Sequence, residues 1–218
     1  MNREWAALYQ SQDWVLEQLR PLNHGFYLTG RTALSRGYYE HRYSEDLDFF
    51  ANDQPDFALS RDRCFDALDR HGPAAGFKLE IALREDRFGR AFLRGPVELK
   101  LEFINDVPSR VGTPWNHPAL GSLDTKENIL ANKVSALSDR EEPKDLADIF
   151  WLCCRDNLNL GAAISDAQGK AAGIFPPLIA KRLSQALKLG VPKVFWRKEP
   201  EPAEFRSGIE RLIRELLA

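Results

Sequence analysis

A glycine turn and a pair of aspartates within residues 26–50 restrict the fold of this chain more than any other feature. The apolar and turn residues of this segment predict the order strand, glycine turn, helix, strand. Side chains alternate across a strand, so Asp46 and Asp48 share one face, with Cα atoms roughly 6.5 Å apart. Two carboxylates at this spacing can bind a hard cation such as Mg²⁺ through oxygen.

Gly30 stands directly before the predicted helix of this segment. Glycine lets the backbone pass close to a ligand, and the free N–H groups at the start of a helix can hold a phosphate. Taken separately, a lone glycine is usually a turn, and a lone Asp-x-Asp is usually the solvated face of a strand. Their combination in this order favours a site for a nucleotide and a divalent metal.

Apolar periodicity and turn residues predict the remaining elements. The predicted helices cover 2–20, 32–40, 59–71, 125–138, 143–157, 176–189 and 203–217, and the predicted strands cover 26–30, 46–50, 77–83, 87–94 and 97–104. Turn residues between the last three strands indicate an antiparallel meander. The sequence therefore predicts an α+β chain, with a mixed α/β core over 1–115 and a helical C-terminal region packed on it over 120–218.

The composition, with 44% hydrophobic and 28% charged residues, is that of a globular protein. No apolar run could span a bilayer, and the first residues lack the apolar core of a signal peptide, so we expect a cytoplasmic protein that binds no membrane. A net charge of −2 gives no overall basic field, although a local basic groove could still bind nucleic acid. The cysteines and histidines show no metal-ligand spacing, and we expect Cys153 and Cys154 to be buried.

Three motifs in the first 50 residues resemble those of the AbiEii/AbiGii-toxin-type nucleotidyltransferases, a family within the DNA polymerase β-like superfamily. The motifs are Gly30-Arg31-Thr32-Ala33-Leu34, His41-Arg42-Tyr43-Ser44 and Asp46-Leu47-Asp48-Phe49-Phe50. The resemblance implies a polymerase-β-like core, in which helices flank a mixed sheet, followed by a helical C-terminal part. It also implies that the glycine loop, together with Thr32, Arg42 and Ser44, binds the nucleotide.

Two positions depart from the pattern of this family. Arg31 stands where the family has a second glycine, and its side chain could either clash with the triphosphate or contact a phosphate. The third carboxylate of related enzymes maps to Glu102, where the usual residue is aspartate. The alternative for Glu102 is an ordinary solvated row with Glu98 and Lys100 on a strand.

The helical region carries a lysine within an apolar stripe. Lys133 lies four residues after Ile129 and four before Leu137, so it must reach solvent or meet an anion. Asp145 borders the apolar face of the next predicted helix, where it could hold Lys133 or help to activate an attacking hydroxyl. Asp148 is expected to point away from that face, as ordinary charge patterning.

Smaller expectations concern the ends of these elements. Asp124 is the expected N-cap of the helix that carries Lys133. The segment Trp196-Arg197-Lys198 is expected to be a solvated loop rather than a basic and aromatic patch. Both expectations rest on the residue types alone.

The resemblance implies transfer of a nucleoside monophosphate from an NTP to an acceptor hydroxyl, on RNA or another molecule, with release of pyrophosphate. The predicted metal ligands, in a two-metal arrangement, are Asp46, Asp48 and Glu102. The predicted catalytic residues are Asp46, Asp48, Glu102, Lys133 and Asp145, and the predicted nucleotide-binding residues are Gly30, Arg31, Thr32, Arg42, Ser44 and Lys133. Family membership further suggests the toxin of a toxin–antitoxin pair, with a cognate antitoxin as partner. Two alternatives are a catalytically impaired module that binds a nucleotide or a partner, and an enzyme that modifies a small molecule.

Overall fold

The computed structural model describes residues 4–218, which form two compact units. The front unit contains the described residues up to Gly37, with Ser44–Pro108 and Pro114–Asp124, and the helical unit contains Tyr38–Tyr43, Ser109–Thr113 and Thr125–Ala218. No helix within residues 4–218 has both the length and the apolar character that crossing a membrane requires.

The described part of the front unit contains a single mixed sheet. Its strands are β1 (Tyr27–Thr29), β2 (Asp46–Asn52), β3 (Lys78–Arg84), β4 (Phe88–Arg94), β5 (Leu99–Asp106), β6 (Trp115–His117) and β7 (Gly121–Leu123). Their order is β3-β4-β5-β2-β1-β7-β6. Strands β2 and β5, like β1 and β7, pair in parallel, and the other neighbours pair antiparallel. The predicted mixed sheet and the predicted meander of β3, β4 and β5 are both confirmed.

Helices flank this sheet and build the second unit. They are α1 (Trp5–Leu19), α2 (Gly30–Thr32), α3 (Phe57–His71), α4 (Lys126–Asp139), α5 (Pro143–Phe150), α6 (Leu160–Gln168), α7 (Pro176–Leu187) and α8 (Pro202–Leu217). Short 3₁₀ turns follow α1 (Arg20–Leu22) and α3 (Pro73–Ala75), and π-helical residues follow α2 (Ala33–Tyr39) and α5 (Trp151–Arg155). The predicted α+β class is confirmed.

The apolar side chains of β2 and β5 fix which face of the sheet is buried. Phe49 and Phe103 stack with ring centroids 5.0 Å apart, and Phe65 of α3 meets Phe103 edge-on at 5.3 Å. Each fully buried phenylalanine contributes about 1.5–3 kcal/mol to folding. Because side chains alternate along a strand, this packing directs Asp46 and Asp48 to the opposite face.

Helix α5 is buried on more than one side. It packs against α4, α7 and α8, and all six residues from 145 to 150 are buried. Among these contacts, the rings of Phe150 and Phe205 lie 5.2 Å apart. Helix α5 therefore has no solvated face over these residues.

The N-cap of α4 is Thr125, not Asp124 as expected from the sequence. The hydroxyl of Thr125 accepts a hydrogen bond from the backbone N–H of Asn128 at 3.2 Å. Asp124 is fully buried and accepts a hydrogen bond from the Thr29 hydroxyl at 2.6 Å. This bond links the end of β1 to the residue that follows β7. It also satisfies the buried hydroxyl of Thr29, which needs a hydrogen-bond partner.

Other differences concern short or irregular elements. Strands β6 and β7 and helix α6 are absent from the sequence prediction, and the segment predicted as a helix over 32–40 is mostly π-helical. The helix predicted over 2–20 runs from Trp5 to Leu19, and residues 2 and 3 lie outside the described residues. Cys153 is buried as expected, whereas Cys154 is partly exposed.

Candidate functional site

The paired aspartates lie where two parallel strands run side by side. In the register of β2 and β5, Asp46 lies opposite Lys100 and Asp48 lies opposite Glu102. These four side chains occupy the sheet face that α3 leaves uncovered. We call them the carboxylate face.

Gly30 meets this face at the end of β1. Its φ of +65° lies in the left-handed region, which favours glycine. A Cβ atom added there would lie 3.1 Å from the Asp48 Oδ2 atom, closer than most such contacts. The backbone therefore favours glycine at this position, and a side chain there would crowd Asp48.

Two buried hydroxyls tie the glycine loop to β2. The Thr32 hydroxyl donates a hydrogen bond to the backbone carbonyl of Asp46 and lies 2.8 Å from the Ser44 hydroxyl. The side chains of Thr32 and Ser44 are both buried. These bonds fix the loop against the strand that carries the aspartates, while the predicted contact of the two hydroxyls with a nucleotide stays a prediction.

Arg31 reaches back to the carboxylate face. Its Nη2 atom forms an ion pair and hydrogen bond with the Asp46 Oδ2 atom. The sequence offered a clash with the triphosphate or a contact with it. The structure shows a third arrangement, in which the guanidinium neutralises one of the predicted metal ligands.

The third predicted carboxylate is held by two cations. Glu102 accepts hydrogen bonds from Arg90 Nε at 2.7 Å and from Lys100 Nζ at 3.0 Å. Lys100 Nζ also lies 3.4 Å from Asp46 Oδ2. The side chain of Glu102 is only 13% exposed, so it belongs to an ion-pair network rather than to a freely solvated row.

The two aspartates differ in their electrostatic surroundings. Burial, then the neighbouring charge of Asp46 and to a smaller degree that of Glu102, raise the pKa of Asp48 to about 7. Burial would also raise the pKa of Asp46, but the charges and hydrogen bonds of Arg31 and Lys100 outweigh it, and the net pKa is lowered. Asp46 therefore stays ionised at neutral pH, and Asp48 takes up a proton at a much higher pH than Asp46 does.

Two oxygen atoms of the carboxylate face have no hydrogen-bond partner. They are Oδ1 of Asp46 and Oδ1 of Asp48, and both are inaccessible to solvent. Buried polar atoms without a partner are rare and often mark a position that an ion or a ligand fills. Within residues 4–218 no three His, Cys, Asp or Glu side chains form a ready-made metal cluster. Two aspartates still fit Mg²⁺, which commonly takes one or two carboxylates together with substrate phosphates and water.

A different group of charges fills the interior of the helical unit. Asp148 accepts hydrogen bonds from Arg42 Nε and Nη2, both at 2.8 Å, from His41 Nε2 at 2.9 Å, and it lies 2.8 Å from Lys133 Nζ. Lys133 also donates to Asp145 at 2.7 Å. We call these five residues the buried ion cluster.

Asp148 is therefore not the solvent-facing residue expected from the sequence. Its side chain is completely buried, because α5 packs on several sides and even the face away from the main apolar stripe is covered. Burial would raise its pKa, but Arg42 and Lys133 lower it well below its usual range. Burial lowers the pKa of His41 in spite of Asp148. A neutral His41 can donate its Nε2 hydrogen to Asp148, which as a carboxylate only accepts.

The C-terminal segment that was expected to be a solvated loop pairs with the residues of this cluster. Trp196 forms an antiparallel bridge with Arg42, and the backbone N–H of Arg197 donates to the His41 carbonyl at 2.9 Å. The Trp196 indole N–H donates to the Pro192 carbonyl at 2.9 Å. The segment therefore holds the backbone of residues 41–43 in place.

Comparison with protein families decides the affiliation of the chain. The sequence profile of a family described as the AbiEii nucleotidyl transferase toxin of a type IV toxin–antitoxin system matches residues 14–204. The chain belongs to the AbiEii family. A search of curated proteins finds no match.

Solved structures show that this AbiEii-family chain has a nucleotidyltransferase fold. JHP933 from Helicobacter pylori aligns with a TM-score of 0.61 at 20% identity, over 100% of this chain and 95% of that one. MenT4, a nucleotidyltransferase toxin from Mycobacterium tuberculosis H37Rv, aligns with a TM-score of 0.52 at 16% identity, over 99% of this chain and 86% of that one. At these identities the likeness concerns the fold, and it confirms the predicted fold class.

The predicted site residues of this AbiEii-family chain fall into two groups. The front unit brings together Gly30, Arg31, Thr32, Ser44, Asp46, Asp48 and Glu102, and the helical unit holds Arg42, Lys133 and Asp145. Arg42 is bound to Asp148 and only 1% exposed, and its predicted contact with a nucleotide stays a prediction.

Sequence reasoning missed Lys100, Arg90, His41 and Asp148 as members of charged networks. Lys100 could have been predicted, since it stands two residues before Glu102 and therefore lies on the same face of the strand. Asp148 could have been predicted as well, since a helix places it close to the side of Asp145, three residues earlier.

Proposed function

We propose that this AbiEii-family chain transfers a nucleoside monophosphate from an NTP to an acceptor hydroxyl with the help of Mg²⁺. The oxygen of the acceptor hydroxyl attacks the α-phosphorus and its proton passes to solvent. The bond to the bridging oxygen breaks, and pyrophosphate leaves with that electron pair. The observation that carries this proposal is the pair of unpartnered buried oxygen atoms on Asp46 and Asp48, beside a glycine loop, in a chain of nucleotidyltransferase fold.

Residues of the front unit can keep the loop and the aspartates in a fixed arrangement. Gly30 leaves open the space beside Asp48 that any side chain would narrow. The hydroxyl of Thr32 binds the backbone of Asp46, so that loop and strand move together. Such preorganisation lowers the cost of arranging a triphosphate for reaction.

Asp46 and Asp48 would hold the divalent ion, with Glu102 held beside them by Arg90 and Lys100. When bound, such an ion lowers the pKa of an attacking hydroxyl and neutralises charge on the transferred phosphate. The raised pKa of Asp48 supports this assignment, because a neighbouring cation stabilises the ionised carboxylate that burial and Asp46 disfavour.

Lys133 and Asp145 are proposed as further functional residues. Lys133 is held by two carboxylates in the helical unit, and Asp145 also accepts a hydrogen bond from Arg140 at 3.1 Å. We propose that this pairing fixes the position of the Lys133 side chain for a role toward the triphosphate. The biological role that we propose is that of a toxin, with RNA as acceptor and a cognate antitoxin as partner, on the strength of family membership.

The first test measures binding and transfer separately. Each NTP is titrated calorimetrically with Mg²⁺ into wild type, Asp48→Ala and the control Asp69→Ala, which alters an exposed aspartate on α3. Transfer is followed with α-labelled NTP and total RNA. We expect binding and transfer in wild type and in the control, and loss of both in Asp48→Ala. Absence of NTP binding to wild type would refute the proposal.

The contact between Arg31 and Asp46 favours a second candidate, a module that binds a nucleotide without transferring it. The guanidinium neutralises a carboxylate that the reaction needs for its metal ion. On this hypothesis wild type binds NTP but labels no RNA and no small-molecule acceptor, and Arg31→Gly gains transfer. Labelling by wild type that Arg31→Gly does not increase would exclude this candidate, and labelling confined to a small molecule would exclude RNA as acceptor.

A further inference from the structure

The carboxylate face already contains cations of the chain itself. Lys100 lies between Asp46 and Glu102, at 3.4 Å and 3.0 Å from their nearest oxygen atoms. Arg31 binds the same Oδ2 atom of Asp46 that Lys100 approaches. The Oδ2 atom of Asp46 therefore faces two cations, Arg31 and Lys100, while its Oδ1 atom has no hydrogen-bond partner.

Glu102 has both of its carboxylate oxygens occupied. Oε1 accepts from Arg90, with Nη2 at 2.6 Å and Nε at 2.7 Å, and Oε2 accepts from Lys100 at 3.0 Å. Hydrogen bonds between charged groups, such as these, are roughly twice as strong as those between neutral groups. A metal ion that used Glu102 would compete with these cations for its oxygen atoms.

The carboxylate face contains oxygen atoms without hydrogen-bond partners and oxygen atoms that bind chain cations. The oxygens without partners belong to Asp46 and Asp48, and the oxygens with partners are Oδ2 of Asp46 and both oxygens of Glu102. Together Arg31 and Lys100 carry the charge of one divalent ion.

We propose that Arg31 and Lys100 take the place of a second divalent cation, so that this chain binds its nucleotide with one metal ion, held by Asp46 and Asp48. This inference rests on the proposed function and changes it at one point, because the resemblance implies two metal ions. Asp46 is then shared between the ion at Oδ1 and the guanidinium at Oδ2. Glu102 acts as a positioning residue that holds Lys100 in place.

The test counts metal ions rather than activity. Mn²⁺ replaces Mg²⁺, and the full chain is mixed with an NTP analogue whose bridge between the α- and β-phosphates cannot be cleaved. Electron paramagnetic resonance then gives the number of bound Mn²⁺ ions and shows whether two ions broaden each other's spectra. The proteins are wild type, Arg31→Lys, Arg31→Gly and the double variant Arg31→Met with Lys100→Met.

We expect one uncoupled Mn²⁺ in wild type and in Arg31→Lys, which keeps the charge, and a second, coupled Mn²⁺ in the double variant. Arg31→Gly is expected to bind a second ion more weakly, because Lys100 remains. Two coupled ions in wild type would overturn the inference, and so would a single ion in a folded double variant that still binds the analogue. If wild type binds neither the analogue nor Mn²⁺, the proposed function itself fails.

Discussion

The carboxylate face and the buried ion cluster use the same kinds of side chain and reach opposite electrostatic states. In the cluster, Asp148 accepts four close contacts and its pKa lies well below its usual range. On the face, Asp48 has a buried oxygen without a partner, and its pKa is raised to about 7. Burial acts in the same direction on both aspartates, so the neighbouring charges decide the difference.

This difference separates charges that are satisfied within the fold from charges that a bound cation would stabilise. A carboxylate that is fully satisfied by chain cations gains little from a further cation. A carboxylate pair with unpartnered oxygens is stabilised by any cation that arrives. The carboxylate face is therefore the better candidate for a metal site, although the cluster contains more buried charge.

The largest expected effect comes from removing the charge at the centre of the cluster. Asp148→Asn leaves Arg42 and Lys133 buried with less compensation, and breaking such a pair costs about 3–5 kcal/mol. Urea unfolding should show this loss in the free energy of unfolding. The control is Asp53→Asn, whose pair with Arg87 is more than half exposed on both sides, and the expected loss there is about 1 kcal/mol or less. A loss as small as that of the control would mean that the cluster does not hold the helical unit together.

The second prediction uses the opposite pKa shift of Asp48. The pKa of Asp48 is near 3.8 in the unfolded chain and about 7 in the native protein. Between these values Asp48 binds a proton only in the native state, so the stability of the metal-free protein falls as the pH rises through this interval. Asp48→Asn removes this contribution. In EDTA we compare the free energy of unfolding of Asp48→Asn with that of wild type. The difference, variant minus wild type, should be about 2 kcal/mol larger at pH 8 than at pH 5.

Denaturant titrations at both pH values measure this difference, with Asp69→Asn as the control that should show none.

The contribution of Asp148 to stability depends on pH in the opposite direction. Its pKa is lowered on folding, so its contribution is present above the unfolded pKa and is lost only as the pH falls through the folded one. If the stability difference between Asp48→Asn and wild type does not change with pH, Asp48 is ionised in the native protein. Asp48 and Asp148 would then not differ in their electrostatic state.

The sequence predicted that Asp46 and Asp48 share one face of a strand because that pattern is local. Alternation over Asp46-Leu47-Asp48 sets the face of each side chain, and the buried phenylalanines fix which face is inside. It also predicted that Lys133 either reaches solvent or meets an anion, and the structure shows the second, because Lys133 binds Asp145 and Asp148. In both cases one element contains all the information.

The cluster was harder to predict because its partners lie far apart in the chain. Arg42 and Asp148 are separated by 106 residues, and the local sequence around either residue does not predict that the two form a pair. Helix α6 is a different kind of omission. Its buried residues Leu160, Ala163, Ile164 and Ala167 have helical spacing, and Asn159 is its N-cap, so the signal was present although no element was predicted there.

The third prediction separates backbone strain from ligand binding on the carboxylate face. Gly30→Ala and Gly76→Ala each place a side chain at a positive φ, which costs about 1–2 kcal/mol of stability. A Cβ at Gly76 meets nothing within 4 Å, whereas a Cβ at Gly30 lies against Asp48. Both variants should lose similar stability in thermal unfolding, and only Gly30→Ala should lose NTP binding by calorimetry. Equal NTP binding by both would mean that the space beside Asp48 is not used.

The smallest expected effect tests whether the cluster is structural by loosening the helix that carries Lys133. Thr125→Ala removes the N-cap of α4, together with a hydrogen bond to the Val111 carbonyl at 2.7 Å, and should cost about 1 kcal/mol. Thr125→Ser keeps the hydroxyl and should cost less. Because Lys133 remains fixed by two carboxylates, we expect Thr125→Ala to bind NTP as tightly as wild type. If NTP binding falls further than the lost stability explains, Lys133 acts on the nucleotide through the position of α4, and the cluster belongs to the functional machinery as well as to the fold.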